Sequence, residues 1–539
     1  MKDYRLNELY ASQWIELYLD QSMKSSGQNI KAEATIAVLV SNNKILLEKQ
    51  ITKETIEKFI NLCKEQEKDE RFVLLLATLC SCLDEAIISN QNNIIELILE
   101  NDETKNILVM PIKDRSEQVD VGLEAENSIN WINLRDFKNY SQRHDNLRLY
   151  KYYIAFIDLM AEMCLQRNHR AINSLTNSYS LNAIYKAIIH PALENQMKGK
   201  FLKLLYNMYV DKEPFGDLQV PNYTRVWTEI SPFGNRIQYY RQELPEYLNK
   251  IKSYVITYLK STNGIQSIFD QHKNAMTLEV IKLAKCMVSY GFYKTKDELR
   301  EISLALITLL NGVNDIYELQ QDGSEPIGLG ALFQRFKSLN IEDKEPERYK
   351  KTEDNLIIMK CKQYICDILI KVLDIENDLK VSLFLGFFKE EVENLMIADV
   401  GPEENDFVNA TSSKVFPLDN RLRPGQNYED DPDRGLLAIA SPQKPAEEDD
   451  DAVHWLEKVL MGEQLFDAYP QSTYICILVD LLSYKHEPLY NKSLELIIRY
   501  FNQRQKLIEI LKQIQLLEHP ESIKTLNKVN SIISELKNF

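Results

Sequence analysis

The sequence predicts an all-α fold, an α-solenoid built from stacked helices. Three observations carry this. Apolar residues recur at spacings of three and four in one segment after another, each giving a helix one apolar face. Glycine is scarce, 16 in 539 residues, whereas leucine and isoleucine are common, which favours helices over turn-rich β folds. The helical segments are joined by short turns, and a helix that cannot bury its face alone must stack on its neighbours. A chain this long exceeds a single core. No strict period of about 34 or 42 residues is visible, so the repeats are degenerate.

In residues 1–104 the helices are read as Tyr4 to Asp20, Ile30 to Val40, Thr52 to Lys64, Arg71 to Ile88 and Asn92 to Glu100, punctuated by Gly27 and the Ser41-Asn42-Asn43 turn. Residues 105–144 change character. Ile107 to Met110 and Ile129 to Leu134 lean towards β structure, so a small hairpin insertion is expected there. Helices resume over 145–312. One block, Phe201 to Ile230, begins as a helix through Tyr209, is broken by Pro214, Gly216 and Pro221, and then reads as a short helix, Tyr223 to Glu229, around Trp227. In it Arg225 and Glu229 stand four apart, the spacing of a helical ion pair. Leu244 to Leu259 and Thr277 to Tyr290 follow. Thr295 and Glu298 have capping-box spacing before a stripe of Leu299, Ile302, Leu306 and Leu309.

A polar linker is expected over 313–354 and a helical pair over 355–398, Asn355 to Asp374 and Asn377 to Glu393. The Pro-, Asp- and Glu-rich stretch 399–452 reads as a disordered acidic loop. A helical block over 453–539 carries Leu494, Ile497, Ile498 and Phe501 on one face.

The chemistry-bearing residues are few. Net charge is −16 with no basic stripe, which argues against nucleic acid as a partner. The eight cysteines, Cys63, Cys80, Cys82, Cys164, Cys286, Cys361, Cys366 and Cys476, form no CxxC pair and read as reduced thiols in helical cores. The seven histidines make no HExxH or HxH pattern. Gly328-Leu329-Gly330 lacks the third glycine and preceding strand of a dinucleotide loop, and Glu390-Glu391 reads as helix surface. No metal or cofactor is expected, and nothing suggests an enzyme. The longest apolar runs, such as Phe72 to Leu79 and Val381 to Phe388, fall far short of the roughly 20 residues of a membrane span.

Several blocks resemble one family. MYVDKEP (Met208–Pro214) with PNYTRVWTEI (Pro221–Ile230) looks like a signature of the homology region shared by inositol 1,4,5-trisphosphate receptors and ryanodine receptors, the intracellular calcium-release channels. Its matching positions here are Asp211, Pro214, Tyr223, Arg225, Trp227 and Glu229. Leu46 to Thr52, Arg71 to Gln91, MCLQRNHRAIN (Met163–Asn173), Ala275 to Tyr293, Leu383 to Lys389 and Ile497 to Leu517 are similar to further family segments, in the family's order. The resemblance is closest to the inositol trisphosphate receptors.

It implies an armadillo/HEAT-like solenoid. Residues 1–104 would be the end of an armadillo-type domain, 145–312 an RIH-type solenoid and 453–539 a C-terminal solenoid block. The function implied is that of a cytosolic regulatory scaffold at the endoplasmic reticulum, relaying ligand binding to the pore of a tetrameric ligand-gated calcium channel. The partners would be other domains or subunits of that channel. Asp3 to Asn7 resembles a D-Y-R-K-N helix whose Tyr, Arg and Lys face the ligand's phosphates. Tyr4 and Arg5 match and Leu6 replaces the Lys, so at most one edge of that site is expected. The chain would be a fragment of a channel subunit or a stand-alone protein derived from one. The alternatives are a ryanodine receptor-like piece and a free helical-repeat adaptor.

Overall fold

The computed structural model describes residues 5–24, 32–41, 43–65, 68–115, 118–125, 128–143, 147–231, 244–317, 347–399 and 469–537. The Gly328 loop, most of the polar linker, the acidic loop and residues 453–468 of the last block lie outside them. Among the described residues helices dominate, joined by three small sheets. The chain divides into two units. The first comprises Met1–Gly216, Glu246–Tyr290 and Val313–Tyr364, the second Asp217–Pro245, Gly291–Gly312 and Ile365–Phe539.

In the first unit the helix Leu147–Met163 is buried on nearly every side. Tyr152, Tyr153, Ile154, Phe156, Ile157, Met160 and Ala161 are all inside. Such a helix must be covered all round. Glu70–Cys80 packs on it, as does Asn195–Leu205, which in turn packs on Gln271–Ser289. Gly199 lies at that last contact, where a Cβ would stand 3.4 Å from the Met276 Cα, an ordinary packing distance. Earlier helices, Ile15–Lys24, Ala32–Val40, Lys53–Glu65 and Ile88–Ile98, extend the layers.

Local chemistry sets several boundaries. The expected Tyr4–Asp20 helix is two, Arg5–Ser12 and Ile15–Lys24, separated by a turn at Gln13-Trp14. The expected Arg71–Ile88 helix stops at Cys80. A two-residue hairpin follows, Ser81–Cys82 against Glu85–Ala86, with Leu83 and Asp84 at φ of 54° and 64°. Ile107 to Met110 does not form a strand. Asn101 caps a helix, Asp102–Leu108, by accepting from the Thr104 N–H at 3.1 Å, and this uses the first half of that run. The predicted β insertion begins at Ile112. It has three antiparallel strands, Ile112–Arg115, Gln118–Ala125 and Ser128–Asn133.

In the second unit the helix Leu356–Asp399, whose first turns belong to the first unit, is continuous where two helices were expected. The polar run Asp374 to Asp378 that looks like a break is instead partnered. Arg499 donates to both Asp374 carboxylate oxygens at 2.9 and 3.0 Å, and Lys380 lies 3.0 Å from Glu376. Val381 and Leu385 of this helix meet Leu507 and Ile510 of Gln503–Gln513 in a small core. Thr295 caps Lys296–Leu310 as its spacing predicts, accepting from the Glu298 N–H, while the Glu298 carboxylate reaches back to the Lys294 N–H at 2.7 Å. Among the described residues no helix is long and apolar enough to cross a membrane.

A cluster of four charged residues ties the central layers of the first unit. Asp158 accepts from Lys200 at 2.6 Å and Lys203 at 2.8 Å, and Lys203 also reaches Glu162 at 2.5 Å. Burial pushes the Asp158 carboxyl up, but Lys203 and Lys200 outweigh it and hold it below the ordinary range. Asp158→Asn should therefore cost about 3 kcal/mol at neutral pH, because it leaves Lys203 with less counter-charge. A carboxylate with a depressed folded pKa contributes fully above its unfolded value near 4 and loses that contribution as pH falls through the folded value. The thermal-midpoint gap between wild type and Asp158→Asn should persist from pH 7 to about 5, begin to narrow at about 4 and close only as pH falls through the lower folded value. A gap that narrows as pH rises would contradict this assignment.

Candidate functional site

The block Phe201–Ile230 divides between the units after Gly216, and each half is fastened by its own cluster. In the first unit the helix Asn195–Leu205 widens into a π-helical turn, Tyr206–Val210, a departure often found at functional positions. Asn207 within the turn donates its side-chain amide to the Ala161 carbonyl at 2.7 Å, locking it to the central helix. The chain leaves the helix at Asp211.

Asp211 accepts from Arg167 Nε at 2.8 Å and from the Tyr290 hydroxyl at 2.6 Å. Arg167 Nη2 donates to the Phe215 carbonyl at 2.7 Å and lies 3.0 Å from the Tyr290 hydroxyl. Arg167 sits in the turn after Leu147–Met163, where Gln166 and Arg167 have φ of 56° and 62°. Each such left-handed residue costs on the order of 1 kcal/mol and persists only where its surroundings hold it. Gln91 does so, donating to the Glu162 carbonyl at 2.8 Å and accepting from Asn168 at 3.2 Å. Burial, with the Cys286 thiol and Asp211 nearby, keeps the Tyr290 hydroxyl well above its usual pKa, so it remains a donor.

The second half is fastened within the second unit. The Asn222 N–H and Arg225 Nη2 both donate to Asp378 Oδ1, at 2.8 and 2.6 Å. Asp378 is 3% exposed, so these partners are what make its burial tolerable. Lys371 donates to the Leu218 carbonyl at 2.7 Å. Lys389 donates to the Trp227 and Ile230 carbonyls at 3.1 and 3.0 Å and stands 5.8 Å from the Trp227 ring centroid, whose edge meets Phe388. Thr224–Val226 pairs in parallel with Gln515–Leu517. The expected helix Tyr223 to Glu229 is thus a strand followed by a 3-10 turn, Trp227–Glu229. Arg225 is directed to Asp378 rather than Glu229, because an extended backbone does not bring residues four apart together.

Tyr223 packs on the Val381–Leu385–Leu507–Ile510 core. Trp227 is half-buried, and Pro214 and Glu229 are exposed. Tyr4 lies outside the described residues, and Arg5 opens the first helix. The clusters add Arg167, Tyr290, Asp378 and Lys389, which spacing alone did not single out. Burial pushes the thiols of Cys63, Cys80 and Cys164 up, and that of Cys361 to about 12, so they are poor nucleophiles and ligands. Among the described residues no group of three His, Cys, Asp or Glu side chains could hold a metal ion.

A family model described as the RIH domain matches residues 1–110. Over 95% of its length the chain is 22% identical to the inositol 1,4,5-trisphosphate receptor itr-1 of Caenorhabditis elegans, of which the match covers 17%. Both findings are similarities to inositol 1,4,5-trisphosphate receptors and to the RIH domain. The chain is also 25% identical, over 36% of its length, to the inositol 1,4,5-trisphosphate receptor-like protein A of Dictyostelium discoideum, covering 6% of that protein. Both relatives are named as receptors or receptor-like, and the chain spans under a fifth of either.

The Arg167–Asp211 pair is open to direct measurement. A cycle of Arg167→Ala, Asp211→Ala and the double variant should give a coupling of about 2 kcal/mol, the range of half-buried charged hydrogen bonds. It is read from hydrogen exchange of the Asn195–Leu205 amides. Additive single effects would show that the pair does not hold the block.

Proposed function

We propose that this chain is a stretch of the cytosolic regulatory region of an inositol trisphosphate receptor-like calcium-release channel. In this reading it passes a conformational signal from a ligand-binding region towards a pore, with neither step of chemistry carried out by its own residues. The observation that carries the reading is the alignment of 95% of this chain with a stretch that makes up 17% of the worm receptor. The two clusters on Phe201–Ile230 add a physical reason. A polypeptide tied by a charged cluster before Gly216 and by another after Asp217 moves at one end when the other is displaced, since neither attachment yields cheaply. Its partners would be the other domains and subunits of such a channel, and its place the cytosolic face of the endoplasmic reticulum.

The test is a chimera in which this chain replaces the aligned segment of the worm receptor, expressed in cells without other such receptors. The chimera should bind inositol trisphosphate and release calcium. Asp211→Asn and Asp378→Ala should each weaken release at least about threefold while leaving ligand affinity within about twofold, since coupling energies of 1–3 kcal/mol are at stake. Unchanged release in both variants would refute the relay.

Tyr4 and Arg5 are proposed to form one edge of a trisphosphate site completed by residues outside this chain. One cation and one phenol cannot neutralise a trisphosphate. Isothermal titration of the chain by itself should show no saturable heat, and a saturating isotherm would overturn that division of the site.

A further inference from the structure

The helix Pro520–Lys537 belongs to the second unit and is joined to the strand Gln515–Leu517 by Glu518 and His519 alone. None of its side chains from Pro520 to Ile533 is buried. Val529, Ile532 and Ile533 are exposed by 45, 47 and 45%, and Ile523 and Leu526 are covered only in part. Ile523, Leu526, Val529 and Ile533 form one face with Ile532 at its border, and Glu521, Lys524 and Lys528 lie across the helix from them. The interior holds Ser522, Thr525, Asn527, Asn530 and Ser531, which are weak helix formers. A helix of this composition draws its stability from burying its apolar face rather than from propensity, so a partner has to cover that face. The same unit carries a second uncovered surface. On Glu487–Phe501, Leu489 and Leu496 are buried, whereas Tyr490, Leu494, Ile498 and Phe501 line the other side, exposed by 42, 38, 50 and 60%. Large apolar side chains in line at helical spacing form the pattern on which a second helix docks. We propose that two copies of this chain form a two-fold dimer in which the Pro520–Lys537 helix of each lies on the Glu487–Phe501 stripe of the other.

Three features favour a second copy as the occupant. The first is fit. Ile523 to Ile533 spans ten residue steps and Tyr490 to Phe501 eleven, about 15 and 16 Å of helix, so the two surfaces match in length. The second is charge. Glu521, Lys524 and Lys528 point away from the apolar face of the incoming helix, so closing the contact leaves those charges in water. The third is area. A stable interface takes roughly 20–30 residues from each partner, and one helix on one stripe supplies too few. Related by a two-fold axis, the contact occurs twice, and each copy gives both surfaces, helices of 15 and 18 residues. Nine large apolar side chains per copy then leave water, five from Ile523 to Ile533 and four from Tyr490 to Phe501. Within one copy both surfaces are open at once, because the helix does not lie on its own stripe. Exchange between two copies fills both, at the low cost of a swapped element.

Analytical ultracentrifugation of the full chain tests this. At micromolar concentration it should sediment with a mass twice the 62.9 kDa of one copy. Leu494→Glu/Ile498→Glu spoils the stripe and Leu526→Glu/Ile533→Glu spoils the helix face. Each should raise the dissociation constant at least about thirtyfold, while hydrogen exchange of the Leu147–Met163 amides, unchanged, shows that the chain remains folded. Mixed one to one, the two variants regain one intact contact, and a contact already lost cannot be lost twice. Energy transfer between differently labelled variants should therefore report association at least about fivefold tighter than either shows with itself. A wild-type chain that stays monomeric, whether or not another protein then binds it, would overturn the proposal. So would a dimer that survives either variant. Mixed variants that associate no better than each alone would overturn it as well, assigning the contact to helix on helix or stripe on stripe.

Discussion

A helix that is buried on most of its sides has to be covered by neighbours on those sides. Leu147–Met163 is such a helix, and the first unit follows from it. Glu70–Cys80 and Asn195–Leu205 are held against it by the area they remove from water, and Gln271–Ser289 closes on the latter at Gly199 and Met276. The polar residues on these helices are then drawn inside with the apolar ones. Asp158, Lys203 and Asn207 are tolerated only because each finds a partner on the facing helix.

The same logic accounts for the second unit. Asp378 lies mid-helix with almost no exposure. The Asn222 N–H and the Arg225 guanidinium supply what water cannot. Lys389, about three turns on, does for two carbonyls of the connector what Asp378 does for its donors. Polar groups on the long helix thus fix the path of a segment whose own regular structure is one three-residue strand and one 3-10 turn.

This is also why some of the architecture could be read from sequence and some could not. Helix positions followed the 3.6-residue period, and the Thr295–Glu298 cap followed from local chemistry alone. The breaks were harder. Asp374 to Asp378 looks like a helix stop to any reading confined to neighbours, because Arg499 and Arg225, which make it stable, stand more than a hundred residues away. Tyr223 to Glu229 looks helical for the complementary reason, since its strand partner, Gln515–Leu517, is distant. The family-like blocks marked Asp211 and Arg225 as positions of interest. Which residues they would meet depended on the fold.

The parallel pairing of Thr224–Val226 with Gln515–Leu517 has a consequence for how the chain reaches its native state. About 290 residues separate the two strands. During synthesis the connector emerges long before its ladder partner, at a rate that leaves it waiting on the order of tens of seconds. Through that interval Thr224–Val226 is an unpaired edge beside exposed aromatic rings, open to capture by other chains. This ladder can therefore close only late, after Gln515–Leu517 has been made.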